Sequence, residues 1–261
     1  MTEFKTYTFP GSRIATNDVC AIGLQKHHIA AMIEIDVSGS REKIKLYKKK
    51  KGNISFTAWL IKVISNTIRD HQNVAAYLKG KRKVVIFNDI NVSVLIEKNV
   101  NGQKVPIPLL IEKVNEKSIE SITKEIKDAR EKNLTDKDIV LHNKSNRMER
   151  FYYMLPGFLR RYFWKYLLRH PHLAYSKMGN VSITSVGMMG RANGWFIPIS
   201  VHPVCFGIGK IIKKPIVVND EIMIRDILNM SVLIDHDVVD GAQMARFISD
   251  LSENIEKGKE L

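Results

Sequence analysis

From Ser231 the chain reads Ser-Val-Leu-Ile-Asp-His-Asp-Val-Val-Asp-Gly before apolar residues begin to recur at helical spacing, and this junction limits the folds open to it. The β-branched, apolar run Ser231–Ile234 has strand character, whereas Ala245, Ile248, Leu251 and Ile255 mark one face of a helix. His236 is thereby placed at a strand end, where backbone pairing can hold an imidazole while leaving one ring nitrogen free. The ordinary pKa of imidazole suits proton transfer at neutral pH. Asp240 falls at the helix start, and Gly241 beside it allows a tight bend or the close approach of another backbone. A His-x-x-x-Asp pair on one helical turn would also suit a metal. Val238 and Val239 are poor helix formers, however, and no third ligand stands at zinc-like spacing, so no metal is expected. A buried histidine satisfied by backbone would leave the same periodicity, and the pattern by itself leaves the catalytic and structural readings open.

Upstream, partial alternation over His28–Val37 predicts a strand, broken by Ser38-Gly39-Ser40 ahead of a helix. Phe56, Leu60, Val63, Ile64 and Ile68 recur at three- and four-residue steps and predict a helix with His71 just beyond it. Strand-like runs at Val84–Phe87 and Ile90–Ile96 precede Asn101-Gly102, a turn signal, and Val105–Ile111, which together read as a hairpin. Ser118 caps a helix that carries Ile119, Ile122, Ile126 and Ala129 on one side, with Glu120 near its positive end and Lys127 and Arg130 near its negative end. Further strands are expected at Val181–Ser185, Val204–Ile211, Ile216–Val218, Glu221–Ile224 and Met230–Ile234. Strands and helices do not alternate regularly, which predicts a mixed α/β sandwich rather than a doubly wound sheet.

The 261 residues, 44% of them hydrophobic, suit one large domain spanning 1–261. Two cysteines far apart, Cys20 and Cys205, argue against a disulfide framework. Met1–Tyr7 lacks the apolar core of a signal peptide, and no apolar run is long enough to span a bilayer, so a soluble cytoplasmic protein is expected. The net charge of +14 favours polyanionic partners. Nucleic acid, anionic lipid, an acidic carrier protein and the phosphates of coenzyme A all qualify. The absence of zinc-finger spacing, a recognition-helix pattern or an aromatic stacking strand argues against nucleic acid. Lys48-Lys49-Lys50-Lys51 reads as a solvated turn.

His236-x-x-x-Asp240-Gly241, followed by Ala-Gln-Met-Ala-Arg-Phe and an amphipathic closing helix, resembles the signature of the dihydrolipoamide acyltransferases of 2-oxoacid dehydrogenase complexes and of chloramphenicol acetyltransferase. Val181 to Gly190 is similar to the Thr-Ile-Ser-x-x-Gly-x-x-Gly strand of the same family. Asn91–Val94 through Pro106-Ile107-Pro108, followed by Lys117-Ser118-Ile119, resembles its hairpin and succeeding helix. The three blocks stand in the family's order, and the resemblance runs from about Ile29 onward. It implies a chloramphenicol acetyltransferase-like mixed-sheet sandwich, assembled as a homotrimer with active sites at subunit interfaces. It also implies His236 as general base and Thr184 as the hydroxyl that stabilises an oxyanion. The family more often has Ser at the second position; Thr keeps the donor and adds a methyl group. Ser185 should face the opposite side of the strand, and a one-residue slip would exchange the two assignments. Asp240 matches an acidic position that pairs with an arginine and holds the histidine loop, with Arg13 a candidate partner, while Gly187 and Gly241 match glycines of tight backbone. Coenzyme A or an acyl-CoA is the implied substrate, and a lipoyl group on a separate protein, or another acyl carrier, the implied partner.

The chain departs from the family in two respects. No lipoyl domain fits ahead of Ile29, and no subunit-binding domain or Ala/Pro-rich linker is visible. Lys144 to Lys177 looks inserted, and it interleaves basic residues such as Arg160, Arg161 and Lys165 with aromatics such as Phe158, Tyr162 and Trp164. Such a segment suits an amphipathic surface lying on anionic membrane, docking a carrier or covering an acyl chain, or else aromatics packed on the domain with cations in water. Alternatives to the lipoyl-linked reaction are O-acetylation of a small molecule in the chloramphenicol manner and a non-catalytic trimeric binding or scaffold protein. A thiol mechanism using Cys205 with His202 is a further rival, weakened by the strand position of Cys205.

Overall fold

The computed structural model describes residues 2–6, 11–50, 52–100, 103–131, 151–187 and 193–261. Helix α1 (Gly11–Gly23) leads to strand β1 (His28–Asp36), helices α2 (Ser38–Lys50) and α3 (Phe56–Asp70), and the short strands β2 (Tyr77–Lys79) and β3 (Lys83–Val85). Strands β4 (Val92–Val100) and β5 (Gln103–Ile111) precede helices α4 (Ile119–Glu131), α5 (Gly157–Arg169) and α6 (Pro171–Met178). The chain closes with β6 (Val181–Ser185), β7 (Val204–Val218), β8 (Glu221–Asp235) and α7 (Gly241–Glu256). The expected Ser118 cap forms, its Oγ accepting from Ser121 N at 3.2 Å, and Ser55 Oγ caps α3 by accepting from Ala58 N at 3.0 Å.

Six strands form one mixed sheet in the order β1-β8-β7-β6-β4-β5, while β2 and β3 pair separately. Short β6 lies parallel to both its neighbours, and the other pairs are antiparallel. Alternate strand residues, among them Val181, Ile183, Phe206, Val232 and Ile234, face a helical layer built from α3, α4 and α7. Trp59 and Phe247 are fully buried in that layer. This is the mixed α/β sandwich expected from the sequence. Among the described residues, the opposite face has no helical layer of that kind. Over β7 and β8 it carries the extended segment after residue 193: Ser231 Oγ donates to the Phe196 carbonyl at 2.6 Å, and Trp195 Nε1 to the Ile33 carbonyl at 3.0 Å.

Four of the expected strands are two. Ile216–Val218 continues the Val204 strand, and Glu221–Ile224 continues into the Met230 strand, giving one long β7–β8 hairpin. Pro215 suggests a break, yet β6 pairs with β7 only as far as Ile208, so Pro215 lies on an edge that needs no N–H. Val84 pairs with Leu78 in the separate ribbon. The inward face of α7 is Met244, Phe247, Leu251 and Ile255, leaving Ala245 exposed. Lys48–Lys50 end α2, where cations complement the last carbonyls, rather than forming a turn. Asn101 and Gly102 lie outside the described residues, as do 144–150 of the segment expected to be inserted.

The rest of that segment is bound firmly to the domain. Asp18 of α1, 4% exposed, accepts from Arg160 Nε at 2.6 Å and from the Tyr152 hydroxyl at 2.9 Å, and Trp164 Nε1 donates to the same hydroxyl at 3.0 Å. Past α5, Tyr175 of α6 stacks on Phe87 with ring centroids 3.9 Å apart.

Phe247 joins α7 to the sheet through Phe206 and to α3 through His71. Phe247→Ala is expected to lower unfolding stability by about 3–5 kcal/mol in a urea titration. A loss below about 1 kcal/mol would mean that α7 is not part of the cooperative core.

Candidate active site

Pairing of β1 with β8 runs to His28 opposite Asp235, and one further bond extends it, from His236 N to the His27 carbonyl at 2.9 Å. The Asp235 carbonyl then accepts from Val238 N at 3.1 Å and Val239 N at 3.2 Å, closing a turn around His236. Val239 is buried at 3% exposure and anchors the far side of that turn. Asp240 Oδ1 caps α7 by accepting from Gln243 N at 2.8 Å. Asp235, buried, forms an ion pair with Lys26 and accepts from Asp237 N at 3.3 Å. The backbone of His236 is therefore fixed on both sides. Its ring is exposed and makes no hydrogen bond or ion pair with the described residues.

Thr184 is half-buried on β6, opposite Gly207 of β7, which is opposite Ser231 of β8. Val181 and Ile183 point to the helical layer, so Thr184 belongs to the other face, while Ser185 is in register with the core residue Ile208. From the level of Ser231 to that of His236 the strand advances about 17 Å at the usual rise per residue, and two strand spacings separate β6 from β8. The two side chains do not meet within one chain.

Arg13 lies exposed on α1 and forms no ion pair with Asp240. Asp240 turns instead to the nearest unpaired donors, the N–H groups at the start of its own helix. The ion pair that braces the histidine turn is Lys26–Asp235, which the sequence reading missed. Gly187 has the tight backbone expected of it, since a Cβ there would overlap the Gly209 carbonyl oxygen. Gly241 does not: a Cβ would meet nothing within 4 Å, and its φ is not left-handed.

Other histidines surround the turn. His27 Nδ1 is 2.8 Å from Asp237 Oδ1, and this carboxylate raises the His27 pKa. His28 Nε2 donates to the His202 carbonyl at 2.9 Å, with burial holding its pKa down. His202 is enclosed between the Met178 carbonyl, 3.0 Å from Nε2, and Ser200 Oγ, 3.2 Å from Nδ1; desolvation lowers its pKa to about 4. Burial raises the thiol of neighbouring Cys205 to about 11. A neutral, fully engaged imidazole beside a protonated thiol makes no nucleophile, so the Cys205–His202 rival has no physical basis. Among the described residues no group of His, Cys, Asp and Glu could hold a metal ion.

The fold is that of solved acyltransferase cores. A probable dihydrolipoamide acetyltransferase from Listeria monocytogenes superposes with a TM-score of 0.71 at 21% identity, covering 98% of this chain and 95% of that one. The Azotobacter vinelandii dihydrolipoamide acetyltransferase, studied for the roles of a serine, a histidine and an asparagine in its catalytic mechanism, matches with a TM-score of 0.69 at 15% identity over 97% and 92% of the two chains. The profile of the 2-oxoacid dehydrogenases acyltransferase (catalytic domain) family matches residues 25–140 and 170–261, and the chain belongs to this family. The lipoamide acyltransferase component of the branched-chain alpha-keto acid dehydrogenase complex of Bacillus subtilis is 23% identical over 239 residues, 88% of this chain and 46% of that protein. The chain thus spans about half the length of this curated relative.

His202 has a physical consequence for stability. Its folded pKa of about 4 lies below the ordinary 6.5, so the unfolded chain takes up a proton that the folded chain refuses. Its contribution is complete above pH 6.5 and is lost as pH falls toward 4. His202→Asn is expected to flatten the fall in unfolding free energy over that window, measured by denaturant titration at stepped pH. An unchanged slope would assign the acid sensitivity elsewhere.

Proposed function

We propose that this chain is an acyltransferase that moves an acyl group between coenzyme A and a dihydrolipoyl group, or another thiol acceptor, borne on a separate polypeptide. The observation that carries the reading is His236: backbone locked at a strand end, ring free and open to a substrate. In the Azotobacter enzyme the named serine and histidine are separated by as many residues as Thr184 and His236, and its histidine and asparagine by as many as His236 and Asp240. That agreement supports His236 as general base, Thr184 as oxyanion donor and Asp240 as the residue that positions the turn by capping α7. The pairing of Asp240 with Arg13 is not part of the reading.

His236 takes the proton of the incoming thiol as its sulfur bonds to the thioester carbon, a contribution of about 10²–10⁴ in rate. The carbonyl electron pair moves to oxygen, and the Thr184 hydroxyl donates to the resulting oxyanion, worth roughly 3 kcal/mol. Collapse restores the carbonyl and breaks the original carbon–sulfur bond, and the imidazolium returns its proton to the departing thiolate. No acyl group is attached to the protein. Because Thr184 and His236 lie apart on one sheet, the site is completed by a second subunit, and the working unit is a homotrimer with a site at each interface. Two free cysteines, Cys20 and Cys205, agree with a reducing, cytoplasmic setting.

His236→Ala is expected to abolish transfer between acyl-CoA and dihydrolipoamide while the assembly keeps its mass, and Thr184→Ala to lower kcat by about 10²–10³. Trimers formed from equal amounts of the two variants should recover about a quarter of the wild-type rate, since one site in four then receives both intact residues. Full activity in His236→Ala refutes the base. No recovery in the mixture, at wild-type trimer mass, refutes the shared site.

A further inference from the structure

Between Phe151 and Asn219 the sequence contains no aspartate or glutamate, although the chain holds 27 of them. Helix α5 lies within this stretch and within the part of the chain that the family profile leaves unmatched. Arg160, Trp164 and Leu167 turn one side of α5 toward the domain: Arg160 and Trp164 enter the Asp18–Tyr152 network, and Leu167 is 6% exposed. The other side is uncovered and carries aromatic and basic residues together. Phe158 and Tyr162 are each 64% exposed and Tyr166 48%, at four-residue steps that place them on one line along the helix. Arg161 and Lys165 form an adjoining line, exposed and without an acidic partner among the described residues.

We infer that this face of α5 is a docking surface for an anionic lipid bilayer, on which the helix lies parallel to the membrane plane. An aromatic line flanked by cations, on a helix without acidic residues, is the composition of interfacial helices. The aromatics enter the headgroup boundary while Arg161 and Lys165 pair with lipid phosphates. The face is a convex cylinder rather than a groove, which suits a planar, deformable partner. The anchors at Asp18 and Phe87 hold the helix in place before contact, so little ordering is needed on binding. No described helix is long and apolar enough to cross a membrane, and the proposed contact is peripheral. The inference is independent of the acyl-transfer reading.

Co-sedimentation of the full chain with phosphatidylcholine vesicles, with and without phosphatidylglycerol, tests it at low salt. Binding is expected only to the anionic vesicles. Phe158→Ser with Tyr162→Ser, and separately Arg161→Glu with Lys165→Glu, should each weaken partitioning at least tenfold. Lys48→Glu with Lys49→Glu on α2 should change it less than twofold. Circular dichroism melting identifies any variant that fails to fold, and the charge pair, wholly on the surface, decides the outcome if the aromatic pair does. Absence of vesicle binding overturns the inference. So does an equal loss in the α2 variant, which would make the attraction a property of net charge alone. Conversion of a lipid-free assembly to a smaller one by the α5 substitutions likewise overturns it, since the face would then belong to a second copy.

Discussion

The pairing of β1 with β8 is the constraint on which the rest of the candidate site depends. It continues past the last strand residue to His236 N, and it brings Lys26 and His27, just ahead of β1, beside Asp235 and Asp237. A histidine at a free strand end would sample many positions; here the backbone is spent on hydrogen bonds and the ring is left over. The buried Asp235 carboxylate would be costly without its lysine, so the same ion pair that neutralises it also fixes the turn. Burial of Val239 and the Asp240 cap then join the turn to α7, whose buried face locks into the helical layer.

Much of this was legible because the sequence changes period at the junction. Alternation and β-branching end at Ile234, and three- and four-residue spacing takes over after Gly241, so the strand, the turn and the helix could each be placed. The face of α7 was read slightly off because Met244 and Phe247 carry more buried volume than Ala245, and the helix rotates to bury the larger groups. The long hairpin was read in pieces. Its outer part extends past β6, where Lys214, Arg225 and Asp226 are half-buried in ion pairs with Glu34, Asp36 and Arg41 but look like interruptions in a linear sequence.

Other features were illegible in principle. Lys26 and Asp235 are brought together by strand pairing that no local pattern encodes, and neither is unusual in its own segment. The Arg13–Asp240 pair illustrates the reverse problem. A carboxylate at a helix start has orphan N–H groups within immediate reach, and within this chain the local donor wins over a distant guanidinium. The Asp18–Arg160 bond shows how an unmatched segment can still be integral: a buried carboxylate on α1 supplies the charge that α5 lacks.

The two glycines of the motif strands separate what one chain requires from what it does not. Gly187 is fixed by its own protomer, because any side chain would strike the Gly209 carbonyl. Gly241 stands in open space with ordinary backbone geometry, and the isolated chain would accept a larger residue there. On the proposed reading this difference has a physical source: Gly241 borders the histidine turn at the place where a neighbouring subunit and a thioester would have to approach. The exposed Met32, Leu95 and Ile197 lie on or beside the sheet face that lacks the helical layer, the side to which Thr184 also belongs. On that same proposed reading, a protomer that fixes its histidine and keeps its threonine at a distance would be completed by another subunit's surface.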